Sequence, residues 1–229
     1  MPIYQLPEEP IFPHPNEATS DGLLAIGGDL SAQRLIAAYA SGIFPWFGAK
    51  DPILWWSPNP RMVLFPDKFK VSKSLKQTLR SQKYKVTTDK AFVQVIAHCR
   101  SIFRPDQNGT WITREIEKAY IELHKLGLAH SFEAWHNNEL VGGLYGISLG
   151  NTFFGESMFH KANDASKVAF YYLNALAIDW GFQFIDCQIP NPHLISLGAE
   201  EISRDDFLDM LHAALLHKTR QGTWNLLFE

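Results

Sequence analysis

Several features that would assign the chain to a special class are scarce in its 229 residues. It has two cysteines, Cys99 and Cys187, which lie far apart and in no metal-ligand spacing. Two reduced thiols are therefore expected, which favours the cytosol. The net charge is −3, so the chain lacks the global basic excess of many nucleic-acid-binding proteins. Any site for a nucleic acid must therefore be a local patch.

Segments that would direct the chain into or across a membrane are also lacking. The first ten residues have neither a basic start nor an apolar run, so no signal peptide is expected. The longest mostly apolar stretch, residues 168–178, is too short to span a bilayer and includes Asn174. We therefore expect a soluble globular protein of the cytosol.

The common cofactor and metal motifs are missing as well. The sequence has no P-loop, no GxGxxG and no HExxH motif, and its nine histidines show no clustered ligand spacing. From these absences we predict that the protein uses neither a metal ion nor another cofactor.

Proline is present in quantity, but it is concentrated at one end of the chain. Ten of the 13 prolines lie in the first 66 residues, which predicts loops and short elements there. One helix is expected in this region, capped by Ser31 and ended by Gly42. After Pro66 helices and strands alternate. We place a domain boundary near Met62, giving a small N-terminal domain of residues 1–61 and a larger domain of residues 62–229.

The larger domain has recognisable start and turn signals. Ser72, Asp89 and Asp164 are expected to cap helices, and Ser203 begins the last helix. Three extended runs, HSFEAWH, ELVGGLYGISL and TFFGESMF, follow the third helix of this domain. The runs are joined by tight-turn residues, Asn137-Asn138 and Gly150-Asn151, which predicts an antiparallel meander.

The order of helices, three-strand meander, long helix, strand and helix is that of the GNAT acyltransferases. It predicts an α+β fold with a central, mostly antiparallel sheet flanked by helices. In that fold the last meander strand, here TFFGESMF, separates from the strand after the long helix, here FQFIDCQ. The acyl donor enters the gap. The junction that would hold a coenzyme A pyrophosphate reads MFHKANDASK, and its lack of glycine argues against an acyl-CoA donor.

Polar residues on these two apolar strands are candidates for chemistry. Asp186 and Gln188 are two apart on one strand and are expected to share a face, and Asn191 follows them. Alternatively, Asp186 and Gln188 cap the next helix or the end of the strand. Glu156 lies in the facing strand, where a buried carboxylate needs a partner, for example an ion pair with Lys167. The expected meeting of the two strands in a cleft favours function for both sets.

A basic stripe is predicted on the first helix of the larger domain. Lys73, Lys76, Arg80 and Lys83 are spaced by three, four and three residues and so share one face. Solvated helix faces are often charged, but usually with both signs. A stripe of one sign on an acidic protein suggests contact with a phosphate backbone. Both interpretations remain open from the pattern.

Tryptophan is abundant, with seven residues. Core packing is the ordinary role, and we accept it for four of them, Trp55, Trp135, Trp180 and Trp224. Trp46 and Trp111 lie beside loops, where an indole ring could instead stack on a nucleic-acid base.

Taken together, the blocks GIFPWF, GTWITR, GESMF and IDCQ resemble the leucyl/phenylalanyl-tRNA–protein transferase family, and the likeness extends over nearly the whole chain. The resemblance implies transfer of Leu, Phe or Met from aminoacyl-tRNA to a protein with N-terminal Lys or Arg, which marks that protein for degradation through the N-degron pathway. It places Asp186, Gln188 and Glu156 at the reaction centre, with Asn191 after them. Trp46 and Trp111 are implied contacts of the 3′-terminal adenosine.

The resemblance also implies a pocket for the donor's amino-acid side chain. Its lining would be Leu144, Met158, Leu173 and Ile185, and the basic stripe of Lys73, Lys76, Arg80 and Lys83 would hold the tRNA. At the positions of Leu144 and Leu173 some members of the family carry bulkier or aromatic side chains. The order of preference among Leu, Phe and Met is therefore open.

The implied reaction is aminolysis of an ester, which needs neither ATP nor a metal. Asp186 is expected to polarise the amide of Gln188, which then orients the attacking amine. Two other classes stay open: an acyl-CoA-dependent N-acetyltransferase, and a non-catalytic binder of charged tRNA or basic N-termini. We expect a monomer.

Overall fold

The computed structural model describes residues 3–102 and 110–228. The loop expected before Trp111 falls largely on residues 103–109, outside the described residues. The chain begins with a small sheet in the strand order β1-β2-β4-β3. Its elements are β1 (Tyr4–Gln5), β2 (Leu23–Ile26), α1 (Ala32–Ala40), β3 (Phe44–Pro45) and β4 (Leu54–Trp56). Ser31 caps α1 by accepting from the Arg34 backbone N–H at 3.3 Å, and Gly42 follows the helix in a left-handed conformation, as predicted.

A larger sheet follows, in the order β11-β5-β10-β9-β8-β7-β6-β12. Its strands are β5 (Arg61–Leu64), β6 (Lys85–Thr88), β7 (Ala129–His136), β8 (Glu139–Leu149), β9 (Thr152–His160), β10 (Phe184–Gln188), β11 (Glu200–Ile202) and β12 (Leu227–Phe228). β9 and β10 are parallel, and the other neighbouring pairs are antiparallel. The prediction of an α+β fold with a mostly antiparallel sheet is confirmed.

Helices cover both faces of this sheet. They are α2 (Lys73–Arg80), α3 (Phe92–Ser101), α4 (Arg114–Lys125), α5 (Ala165–Asp179), α6 (Pro192–Ser196) and α7 (Arg204–Leu215). Successive residues of β5 point to opposite faces: Met62 and Leu64 enter the core under α2 and α5, whereas Val63 enters the core shared with α1, α3, α4 and α7. The domain boundary was predicted between residues 61 and 62, and β5 crosses it because the strand begins at Arg61. The division into two domains stays a prediction.

The turns of the meander have the predicted chemistry. Asn137 and Asn138 both adopt positive φ, 51° and 63°, which is the conformation of a two-residue hairpin turn. Gly150 occupies the second turn at φ 54°, where an added Cβ would lie 2.2 Å from the Ala214 carbonyl oxygen. A side chain there would collide with backbone, so the turn requires glycine.

Two predicted helix caps are wrong. Asp89 lies before α3, but its carboxylate accepts from the backbone N–H groups of Ser131 and Trp224 instead of the helix. Asp164 does precede α5, yet its carboxylate accepts from the Lys167 ammonium at 2.9 Å and makes no cap. In both cases a tertiary partner competes successfully with the local N–H groups.

Candidate active site

The cleft forms where β9 and β10 separate. The two strands pair from Thr152–Phe184 to Phe154–Asp186 and then part, as the GNAT element order predicts. Each strand carries a β-bulge at this level. Glu156 is the extra residue of β9 against β8, and Cys187 is the extra residue of β10 against β5. Bulges change the direction of neighbouring side chains, so this pair shapes the opening.

The space between the strands is a cleft of about 290 Å³. Its lining includes all the residues predicted to bind substrate and two of the three predicted to be catalytic, namely Trp46, Trp111, Leu144, Met158, Leu173, Ile185, Asn191, Glu156 and Gln188. Asp186 is absent from the lining. The sequence prediction missed several residues that also line the cleft, among them Phe44, Tyr145, Ser157, Phe170, Ile189 and His193.

Part of the cleft lining is apolar and buried. Leu144 and Leu173 belong to the sheet-helix core under α5 and are almost fully buried, and Phe170 and Ile185 lie beside them. The lining also includes two half-buried indoles, those of Trp46 and Trp111. Trp46 is fixed by its backbone, because its carbonyl oxygen accepts from the Trp56 ring N–H at 2.7 Å. The cleft therefore offers a buried apolar surface for a side chain and two indole rings on which a base could stack.

Glu156 lines the same cleft as the apolar residues and the two indoles. Its Oε1 accepts from the Tyr39 hydroxyl at 2.7 Å and from the Gln188 side-chain amide at 2.8 Å. Its Oε2 lies 3.1 Å from the Tyr120 hydroxyl, and the two tyrosine hydroxyls also contact each other closely. Burial raises the pKa of Glu156 to about 7, although the hydrogen bonds from the tyrosines oppose this. The expected ion pair between Glu156 and Lys167 is wrong, since Lys167 pairs with Asp164.

Asp186 has a different environment from the one predicted. Its carboxylate is fully buried and pairs with the guanidinium of Arg61, Nη2 to Oδ2 at 2.7 Å. Its Oδ1 accepts from the backbone N–H of Gln188 at 2.9 Å, while the Gln188 amide points to Glu156. The expectation that Asp186 polarises the Gln188 amide is therefore wrong. Asp186 instead fixes the backbone of Gln188, which has φ 65°.

The helix cap that we considered for Asp186 and Gln188 belongs to another residue. The Asn191 side chain accepts from the backbone N–H of His193 at 2.8 Å and so begins the short helix α6. Asn191 also lies on the exposed rim of the cleft. It therefore positions the loop that forms one wall.

The predicted basic stripe is largely present on α2. Lys73, Lys76 and Arg80 are exposed, and none pairs with an acidic side chain in the part of the chain that the structure describes. Lys83 is also exposed, but α2 ends at Arg80, so its assignment to the helix is wrong. Its ammonium lies 5.1 Å from the centroid of the Tyr84 ring.

The described residues contain neither a cluster of metal-ligating side chains nor a helix suited to a membrane. Within residues 3–102 and 110–228, His, Cys, Asp and Glu side chains do not assemble into a group of three that could hold a metal ion. Among the same residues, each helix is too short or too polar to cross a bilayer.

Comparison with known proteins assigns the chain to a family. The family model for "Leucyl/phenylalanyl-tRNA protein transferase" matches residues 63–212, and the model for the N-terminal domain of that family matches residues 28–59. This chain belongs to the leucyl/phenylalanyl-tRNA–protein transferase family.

Members of this family from three bacteria are similar over their whole length. The leucyl/phenylalanyl-tRNA–protein transferase of Maridesulfovibrio salexigens is 56% identical over 99% of this chain and 95% of its own length. That of Desulfatibacillum aliphaticivorans is 55% identical over 99% of this chain and 97% of its own length. That of Anaeromyxobacter dehalogenans is 54% identical over 99% of this chain and 97% of its own. A solved structure, L-PGS from Bacillus licheniformis, aligns with a TM-score of 0.40 at 13% identity, over 74% of this chain and 54% of that one.

Three buried residues of this family member's site escaped the sequence reasoning. Arg61 stands in a proline-rich segment, and Tyr39 and Tyr120 occupy apolar faces of two helices that are far apart in sequence. A signal did exist for Arg61, because an aspartate at the end of an apolar strand requires a partner. The tyrosines gave no such signal, since aromatic residues on an apolar helix face ordinarily pack in a core.

Proposed function

We propose that this chain transfers Leu, Phe or Met from the 3′ end of an aminoacyl-tRNA to the α-amino group of a protein that begins with Lys or Arg. The product then enters the N-degron degradation pathway. One observation carries the proposal: buried apolar side chains, the Glu156 carboxyl and the indoles of Trp46 and Trp111 all line one cleft. An amino acid esterified to an adenosine has an apolar side chain for the apolar lining and an adenine ring for the two indoles.

The donor would lie with its side chain inward. Leu144, Met158, Leu173 and Ile185 surround the side chain, and Trp46 and Trp111 stack on the terminal adenine. Branching at Cβ would place a methyl group at the pocket mouth, so Val and Ile are poor donors. The stripe of Lys73, Lys76, Arg80 and Lys83 contacts phosphates of the acceptor stem and carries no base-specific information.

The acceptor would approach the polar side of the cleft. Asp186 is already neutralised by Arg61, so Glu156 is the carboxyl that remains to meet a basic N-terminal residue or its ammonium group. Gln188 donates one amide hydrogen to Glu156, which leaves its carbonyl oxygen to orient the incoming amine. In this scheme Gln188 and Glu156 are catalytic residues, and Asp186 is a positioning residue.

The chemistry follows from the donor's own reactivity. The amine nitrogen attacks the ester carbonyl, a C–N bond forms and the C–O bond to the ribose breaks. The nitrogen loses one proton and the ribose oxygen gains one. The main contribution of the protein is to hold amine and ester together in the right orientation, which is worth several kcal/mol, on the order of 7–11 in well-oriented cases.

We further propose that the protein acts as a monomer in the cytoplasm, where charged tRNA is available. Cys99 and Cys187 are not joined by a disulfide, which is compatible with a reducing compartment. The N-terminal domain of residues 1–61 would contribute Tyr39 and Trp46 to the site.

The test is a transfer assay with defined substrates. Labelled Phe-tRNA is mixed with a peptide that begins with Arg, and in parallel with the same peptide acetylated at its N-terminus. We expect label on the free peptide alone. Label from acetyl-CoA with none from Phe-tRNA would identify an N-acetyltransferase, and retention of Phe-tRNA without transfer would identify a binder.

A further inference from the structure

Three oxygen-bearing side chains from three separate elements meet behind the cleft. Tyr39 comes from α1, Tyr120 from α4 and Glu156 from the bulge of β9. Both tyrosines are buried, with 1% and 0% exposure. Each tyrosine hydroxyl contacts one oxygen of the carboxyl, and the two hydroxyls contact each other. The three groups therefore form a closed ring of three contacts.

The number of hydrogens in the ring depends on the charge of Glu156. With an ionised carboxylate, only the two phenol hydrogens are available for the three oxygen–oxygen contacts. One contact would then have no hydrogen between its oxygens and would be repulsive. With a protonated carboxyl there are three hydrogens for three contacts. A consistent direction then exists: Glu156 Oε2–H donates to Tyr120, Tyr120 to Tyr39, and Tyr39 to Glu156 Oε1. Gln188 donates to Oε1 in either state.

We propose that this closed ring is the protonated form of Glu156, and that the ionised form, with the ring opened, takes a proton from the acceptor's α-ammonium group. The proposal rests on the proposed function and specifies how that function obtains its nucleophile. The ammonium loses one proton to the carboxylate, giving a neutral amine and a neutral carboxyl. After product release the carboxyl returns its proton to solvent.

The groups around Glu156 favour such an exchange near neutral pH. Burial and the nearby negative charge of Asp186 disfavour the carboxylate, whereas the hydrogen bonds from Tyr39, Tyr120 and Gln188 favour it. The positive charge of Arg61, on β5, compensates Asp186. The neighbouring phenols and the Cys187 thiol have pKa values raised by burial, so they remain protonated and do not compete for the charge.

The first test needs no substrate. The infrared carbonyl band of a neutral carboxylic acid is followed while the enzyme is titrated through pH 7. We expect part of this band to titrate there and to be absent from the Glu156→Gln variant. The matched control is Glu133→Gln: burial raises the pKa of Glu133 to about 7 as well, but Glu133 lies away from the cleft. If Glu156→Gln leaves the whole titrating band in place, the proposal is wrong.

The second test uses the acid limb of the pH profile of kcat/KM. Tyr39→Phe and Tyr120→Phe each remove a donor to the carboxylate and also break the ring that only the protonated carboxyl completes, so each should displace the limb from its wild-type pH. Tyr172→Phe on α5, which packs against Phe228, is the control and should leave the limb in place. Unshifted limbs in both ring variants would overturn the proposal, even if their turnover fell.

The two tests separate this proposal from the proposed function. The infrared titration reports on the free enzyme, so it stands whether or not transfer from Phe-tRNA is observed. Thermal unfolding of each tyrosine variant identifies any that fails to fold. For such a variant the Glu156→Gln titration decides the outcome.

Discussion

The guanidinium of Arg61 binds both oxygens of the Asp186 carboxylate, Nε to Oδ1 at 2.9 Å and Nη2 to Oδ2 at 2.7 Å. Both side chains are buried, and the guanidinium also lies 4.4 Å from the centroid of the Phe207 ring. The pair joins β5 to β10 directly under the bulge that orients Gln188. Asp186 is therefore part of the framework of the site.

Asp186→Ala should lower the free energy of unfolding by about 3–5 kcal/mol, because it leaves the buried Arg61 charge without a partner. Urea denaturation measures this loss. The double variant Arg61→Met, Asp186→Leu removes both charges and should recover much of it. An Asp186→Ala protein that is as stable as the wild type but inactive would instead place Asp186 among the catalytic residues.

Gln188→Ala should reduce turnover by roughly a hundredfold, in the range typical of a positioned polar group in proton transfer. Stability should change little, because the backbone conformation is equally accessible to alanine and the side chain faces the cleft. Gln183→Ala, in the chain just before β10, is the matched control and should keep wild-type turnover. Equal activity of the two variants would remove Gln188 from the mechanism.

Reversing two charges of the basic stripe, Lys76→Glu with Arg80→Glu, should weaken binding of charged tRNA and reduce its salt dependence, since each phosphate contact releases about one counterion. The control is Lys125→Glu with Lys218→Glu, which makes the same change in net charge at the end of α4 and just after α7. This control should have a smaller effect on tRNA binding. An aminoacyl-adenosine donor cannot reach the stripe and should react normally. Equal losses with that small donor would mean that the stripe is structural.

Leu173→Trp should fill the donor pocket and lower the transfer of Phe more than that of Leu. Leu173 is 1% exposed, so the larger side chain must occupy the cleft or disturb the core. Competition between equally charged Leu-, Phe- and Ile-tRNA for one Arg-starting peptide measures the change. Selectivity between Leu and Phe should be modest, because one methylene is worth about 1–3 kcal/mol. Efficient transfer of Ile, or an unchanged Phe/Leu ratio, would show that the side chain binds elsewhere.

Glu133 should contribute stability that is lost as pH rises toward 7. Burial raises the pKa of Glu133 to about 7 in the folded protein, from 4.5. The folded state thus holds a proton that the unfolded state has lost between these values, and each pH unit there costs at most about 1.4 kcal/mol. Glu133→Gln should flatten the dependence of the unfolding free energy on pH in this window. A slope that does not change would mean that Glu133 is ionised throughout.

The parts of the fold that sequence predicts well are those with local causes. The Asn137-Asn138 turn, the Ser31 and Ser72 caps and the order of meander, helix and strand all follow from propensity and periodicity over a few residues. The separation of β9 and β10 was predicted by analogy with the GNAT element order, and the residues that line the cleft were implied by the family resemblance.

The errors have a common physical cause, which is competition from distant partners. Asp89 and Asp164 have the right position to cap a helix, but they bond to Trp224 and Lys167 instead. Asp186 and Gln188 would share a face in a regular strand, yet the bulge at Cys187 turns one toward Arg61 and the other toward Glu156. Periodicity contains no information about such bulges or partners.

The position of β5 in the sheet has a consequence for the synthesis of the chain. β5 pairs with β10 and β11, but about 120 residues of chain lie between Leu64 and Phe184. A ribosome that adds roughly 5–20 residues per second takes on the order of ten seconds over that interval. During this time β5 has left the ribosome with both edges unpaired and its apolar Met-Val-Leu run accessible to chaperones. A nascent chain therefore gains its active site only when translation is nearly complete.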